Sequence, residues 1–142
     1  MVKLISTNPA KNYELVGEVD VSSNKEITQK VALANKSKLA WKELGVKQRI
    51  EMLGVICKEF KQRSDEIARL ITLEVGKPIK QSNGEVNCAI EEFEWFLSNA
   101  EKSLQEEITH TDNVSLHKIV YEPFGTAAVI TPWNYPFEMV IW

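Results

Sequence analysis

Cysteine is scarce in this chain: Cys57 and Cys88 are the only two thiols in 142 residues. Two cysteines do not make the disulfide framework of a small secreted domain, so a reducing compartment, the cytoplasm, is the expected location. Neither has a second Cys or a His at ligand spacing, so no metal site is expected. Histidine is equally thin, with His110 and His117 alone. No stretch approaches the ~18 apolar residues of a membrane span, and the opening Met1–Ser6 is too short for a signal peptide. The six glycines are scattered. They form no Gly-x-Gly-x-x-Gly and no phosphate loop. Seventeen Lys and Arg against 20 Asp and Glu leave a net charge of −3. That mild acidity gives no electrostatic reason to expect nucleic acid or an anionic membrane as partner. Hydrophobic residues at 44% and charged residues at 26% are ordinary globular usage and exclude a disordered tail.

What is present is helical periodicity framed by short strands. Lys3–Ser6 and Tyr13–Val21 read as a surface hairpin, with Asn8-Pro9-Ala10 as a turn. Ser22, Ser23 and Asn24 are helix-start residues, and Glu26 puts a negative charge in the first turn. Ile27, Val31, Ala34 and Trp41 share one stripe, at offsets of 4, 7 and 14 from Ile27. Val46, Ile50, Leu53, Cys57 and Phe60 form a second, and Val86, Ile90, Phe93, Leu97, Ala100 and Leu104 a third. Steps of four and three are the spacing of one helix face, and core packing is the expected role of all three. Between the last two, Ser64-Asp65-Glu66 reads as a fresh helix start for Ile67, Leu70, Ile71 and Val75. Gly76-Lys77-Pro78 then stops that helix. The acids Glu91, Glu92, Glu94 and Glu101 fall off the third stripe and are expected in solvent.

Beyond Gln105 the pattern changes. Val114–Tyr121 carries β-branched and aromatic residues and reads as a strand. Thr126–Thr131 is a nearly continuous apolar run, the signature of a strand buried on both faces of a parallel sheet. Pro136 suits the first turn of a further helix. One buried-type strand is an incomplete α/β unit, because a parallel strand needs neighbours on both edges. The sequence therefore reads as the front part of a longer protein.

The segment Ile130-Thr131-Pro132-Trp133-Asn134-Tyr135-Pro136 stands apart. Two prolines four apart hold Thr131 and Tyr135 extended. The loop leaves the C-terminal end of the buried-type strand, where open α/β sheets bind ligands. Two readings stand at Asn134. Its side-chain oxygen can cap the helix near Pro136, or its amide N–H₂ can donate to a developing oxyanion. Trp133 can equally be a core aromatic.

Glu122-Pro123-Phe124-Gly125, followed by Val129-Ile130-Thr131-Pro132-Trp133-Asn134-Tyr135-Pro136, resembles the N-terminal signature of the NAD(P)-dependent aldehyde dehydrogenase superfamily. Thr72–Pro78 is similar to that family's segment ahead of its long third helix, and Asn8-Pro9-Ala10 and Ala40-Trp41 fit its opening. The resemblance implies an α/β fold: part of a doubly wound cofactor-binding domain with long helices, and part of a β oligomerisation arm. Residues 1–105 would be the helical part of the cofactor domain, 106–122 the arm, and 123–142 the start of the cofactor-binding sheet. It implies that Ile130, Thr131, Pro132 and Trp133 line an NAD or NADP site and that Asn134 is the oxyanion-hole asparagine. The implied activity is oxidation of a small-molecule aldehyde, such as succinate semialdehyde or another aliphatic aldehyde, to the acid through a cysteine thiohemiacetal. The family places its nucleophilic cysteine and general-base glutamate downstream of residue 142, so this chain alone is expected to be inactive. The implied partner is a second copy, through the arm. The rival expectation is a non-catalytic assembly partner of a full-length relative.

Overall fold

Ser23 starts the helical part of the chain as its sequence predicts. Its hydroxyl accepts from the Glu26 N–H at 3.3 Å, and the Glu26 carboxylate accepts from the Ser23 N–H at 2.7 Å. This is a reciprocal capping box. The bond from the Ser23 N–H, then that from its hydroxyl, holds the Glu26 carboxyl below its ordinary pKa.

The computed structural model describes residues 2–142. Strands β1 (Lys3–Asn8) and β2 (Glu14–Asp20) pair antiparallel, with Lys3 opposite Asp20 and a bulge between Ser6 and Thr7. Asn8 is buried at the turn, and its side-chain oxygen accepts the Ala10 N–H at 2.9 Å. Four helices follow: α1 (Asn24–Glu43), α2 (Gly45–Gln62), α3 (Ser64–Val75) and α4 (Ile79–Ser103). Gly76 ends α3 at φ 76°, donating its N–H to Thr72 at 3.0 Å. A Cβ there would sit 3.0 Å from Pro9, so both the left-handed turn and the close approach of the hairpin call for glycine.

The core lies between α3 and α4. Ala68, Ile71, Val86 and Ile90 form it, rimmed by Phe60, Ile67, Val75 and Phe137. Cys57 is the buried member of the α2 stripe, a small hydrophobe as its position predicts. Phe60 sets its ring edge-on to Phe137 at 5.1 Å, which ties the end of the chain to α2.

Three expectations need correction. The α1 stripe is not core: α1 buries no residue, and Ile27 and Val31 lie about half exposed. The strand read over Val114–Tyr121 is shorter, β4 (Leu116–Ile119), and pairs with β3 (Glu107–Thr111). Ile108, Thr109 and Thr111 carried the signal for β3. Asp112 makes the turn, its carboxylate accepting from the N–H groups of Val114 at 2.8 Å and Ser115 at 2.7 Å. Third, Thr126–Thr131 forms no strand and is unpaired, and Ile130 is 93% exposed. A parallel strand needs bonded neighbours, and the described residues form only the two hairpins. The chain closes with one turn of helix, α5 (Glu138–Ile141).

The exposed surface totals 11268 Å². A compact monomer of 16.2 kDa exposes about 7,500 Å². Large apolar side chains are exposed on α1, the hairpins and the 124–133 segment, and on the outer faces of α2, α3 and α4.

Candidate functional site

The loop 131–137 lies across the junction of α3 and α4. Phe137 anchors it in the core rim. Trp133 and Asn134 occupy a turn at its crest, and both are exposed, Trp133 by 77%. Together with Tyr135 they form one wall of a cleft of about 360 Å³, whose other wall is Val75, Gly76, Lys77, Pro78 and Gln81. That size lies at the low end of small-molecule sites. Thr131 is half-buried and Pro132 exposed. Of the five residues singled out by sequence, the structure brings Trp133 and Asn134 to the cleft, while Ile130, Thr131 and Pro132 lie outside its lining.

The geometry bears on the two readings of Asn134. The N-cap of α5 is Phe137, with no side-chain cap bond. The N–H groups of Phe137 and Glu138 instead point to one oxygen of Glu85, at 3.0 and 3.4 Å. A carboxylate from α4 thus does the capping work, where its charge suits a helix N-terminus. Among the described residues, the Asn134 carboxamide makes no hydrogen bond, and only the Asn134 carbonyl is engaged, by Lys77 Nζ at 2.9 Å.

Lys77 and Glu85 are the residues that sequence reasoning missed. Lys77 Nζ donates to Glu85 at 2.5 Å, with the two side chains 13% and 1% exposed. The same ammonium lies 4.3 Å from the centre of the Tyr135 ring. A signal did exist: Glu85 stands three residues after buried Ser82 and directly before Val86. An acid on the apolar face of a helix is a demand for a partner.

The thiols are not activated. Burial, then the charge of Glu94, raises the Cys57 pKa. Desolvation, then the charges of Glu138, Glu92 and Glu91, raises that of Cys88. Both are therefore thiols at neutral pH and poor nucleophiles. Cys88, Glu92 and Glu138 do bring ligand-type atoms within 4.8 Å of one another, although their spacing in sequence predicts no metal site.

Mixed α and β structure with a proline-framed loop over a helix junction places this chain in a recognisable class. Its solved neighbours have the aldehyde dehydrogenase fold. An aldehyde dehydrogenase from Brucella melitensis biovar abortus 2308 superposes with a TM-score of 0.89 at 29% identity, over 99% of this chain and 29% of that one. The enzyme ALDH21 of Physcomitrella patens, solved with the reaction product succinate, gives 0.89 at 26% identity, over 99% and 30%. The aldehyde dehydrogenase family model matches residues 3–142, and the chain belongs to that family. The NADP(+) succinate-semialdehyde dehydrogenase GabD of Escherichia coli is 32% identical over 134 residues, 94% of this chain and 28% of that protein. The mitochondrial succinate-semialdehyde dehydrogenase of Homo sapiens is 35% identical over 134 residues, 94% and 25%. The chain thus spans about a quarter to 28% of the length of these curated relatives.

Proposed function

We propose that this chain is the N-terminal portion of an NAD(P)-dependent aldehyde dehydrogenase acting on a short aliphatic aldehyde of the semialdehyde type. In this reading Asn134 supplies an oxyanion donor, and Ile130, Thr131, Pro132 and Trp133 line the cofactor. One observation carries it: the cap of α5 is filled by Glu85, which leaves the exposed Asn134 carboxamide with both N–H bonds to offer. Aldehyde addition places negative charge on the former carbonyl oxygen, and an amide donor held at that point favours the transition state over the substrate. The side chains of Ile130 and Trp133 are uncovered and apolar, and the Trp133 indole offers a flat face to a heteroaromatic ring. A nicotinamide cofactor held by Ile130, Thr131, Pro132 and Trp133 would supply the hydride acceptor for aldehyde oxidation. The resting thiols Cys57 and Cys88 take no part, so the nucleophile lies outside these residues.

The test joins residues 1–142 to the complementary remainder of the Escherichia coli relative. The joined enzyme should oxidise succinate semialdehyde with NAD or NADP, and should keep doing so after Cys57→Ala and Cys88→Ala. Residues 1–142 alone should give no turnover. A well-folded joined enzyme without activity sinks the site reading, and turnover by residues 1–142 alone, surviving both cysteine changes, sinks the assignment of the nucleophile elsewhere.

The β3–β4 hairpin supports an oligomerisation arm. All its strand residues are exposed, Ile108 and Leu116 among them. A two-stranded ribbon is marginal alone, and its open edges template pairing. The purified chain should therefore run as an oligomer or larger assembly in light scattering. A clean monomer at high concentration counts against the arm.

A further inference from the structure

The loop that presents Asn134 is held from below by two charged side chains, eight residues apart, that approach each other across the α3–α4 corner. Glu85 accepts two consecutive backbone N–H groups, Phe137 at 3.0 Å and Glu138 at 3.4 Å, on one oxygen, and Lys77 at 2.5 Å on the other. Lys77 in turn donates to the Asn134 carbonyl at 2.9 Å and faces the Tyr135 ring at 4.3 Å. Four of the five residues from Asn134 to Glu138 are thereby tied to a single ion pair. We propose that Lys77 and Glu85 are positioning residues, which fix the height and orientation of Asn134 over the cleft. The catalytic meaning of that position rests on the reading of Asn134 given above.

Energetics favour positioning over mere support. A buried ion pair regains little more than its desolvation cost, and an apolar pair of similar volume often holds a fold as well. What an apolar pair lacks is direction. Two carboxylate oxygens and an ammonium specify donor and acceptor angles, and here they are spent on the backbone of the loop rather than on each other alone. Misplacement of a reacting group by about 1 Å can cost on the order of 10²-fold in rate, and a device that fixes the Asn134 carbonyl sets the point of the backbone from which the carboxamide projects.

The test is amide and methyl NMR with hydrogen exchange on the 142-residue chain, comparing wild type with Lys77→Met, Lys77→Arg and Glu85→Gln. Lys77→Met should shift the backbone signals of Asn134 and Tyr135 and the Asn134 side-chain amide. Exchange at Phe137 and Glu138, whose N–H groups donate to Glu85, should quicken by about tenfold in Glu85→Gln, the worth of one charge-assisted hydrogen bond. Glu85→Gln keeps the shape and an acceptor oxygen, and should move the same loop signals. The methyls of Ile71, Val86 and Ile90 should hold still in both, and Lys77→Arg should restore the loop. Unmoved loop signals overturn the proposal. So do core methyls that move as far as the loop, or loss of helical circular dichroism in either variant, because the pair is then only a prop of the fold. None of these readouts depends on turnover, so failure of the oxyanion reading is seen separately, in Asn134→Ala kinetics.

Discussion

Asn134→Ala in the joined enzyme should lower kcat by about 10²–10³, equal to roughly 2.7–4 kcal/mol, the usual worth of one oxyanion donor. The KM for NAD or NADP should hardly change, because an interaction made only in the transition state leaves ground-state binding alone. The denaturant midpoint should also stay put. A lost N-cap would cost ~1 kcal/mol, but α5 takes no bond from Asn134; its first N–H groups are satisfied by Glu85. Measuring kcat and midpoint on one preparation separates the two roles. A lowered midpoint with intact kcat would make Asn134 structural after all.

That separation was not available from sequence. Asn134, two residues before a proline expected in a first helical turn, reads more readily as a cap than as a donor, yet α5 begins only at Glu138, beyond Pro136. The residue that decides between them, Glu85, lies 52 positions away from Phe137 in the chain. Local pattern carries information over a turn or two of helix. It found the helix start at Ser22–Asn24 with the first-turn charge of Glu26, the left-handed stop at Gly76 and the faces of α2 and α4, because each is set by residues a few positions apart. Contacts such as Glu85 with the Phe137 N–H, or Lys77 with the Asn134 carbonyl, depend on how α3 and α4 cross. The same limit explains the misread α1 stripe. Periodicity reports that a face is apolar, while what covers it is a tertiary matter, and in this chain Ile27 and Val31 remain half exposed. Thr126–Thr131 is a related case: its composition suits a two-faced burial that requires neighbouring strands, and the described residues supply none.

The small core sets the second large effect. Ile71 projects from α3 into the cluster with Ala68, Val86 and Ile90, and is 6% exposed. Ile71→Ala removes three carbon atoms from a site walled by α4, which has to shift as a whole helix to close the gap. The expected loss is about 2–5 kcal/mol, the transfer term plus the cavity term. With a urea slope of about 2 kcal/mol per molar, the midpoint should fall by at least about 1 M. The cooperative transition disappears if the starting stability is lower than the loss. That outcome is within reach, because a chain with 11268 Å² exposed has buried only about half of its unfolded surface, short of the roughly two thirds usual at this length. Val55→Ala is the control. Val55 lies two residues before Cys57 on the outer face of α2 and is exposed, so its change should stay within about 0.5 kcal/mol. Equal losses at the two positions would mean that the α3–α4 contact is not where the stability of these 142 residues resides. A large loss at Ile71 alone would show that the helix pair carrying Lys77 and Glu85 at its corner is also where the stability of these residues resides.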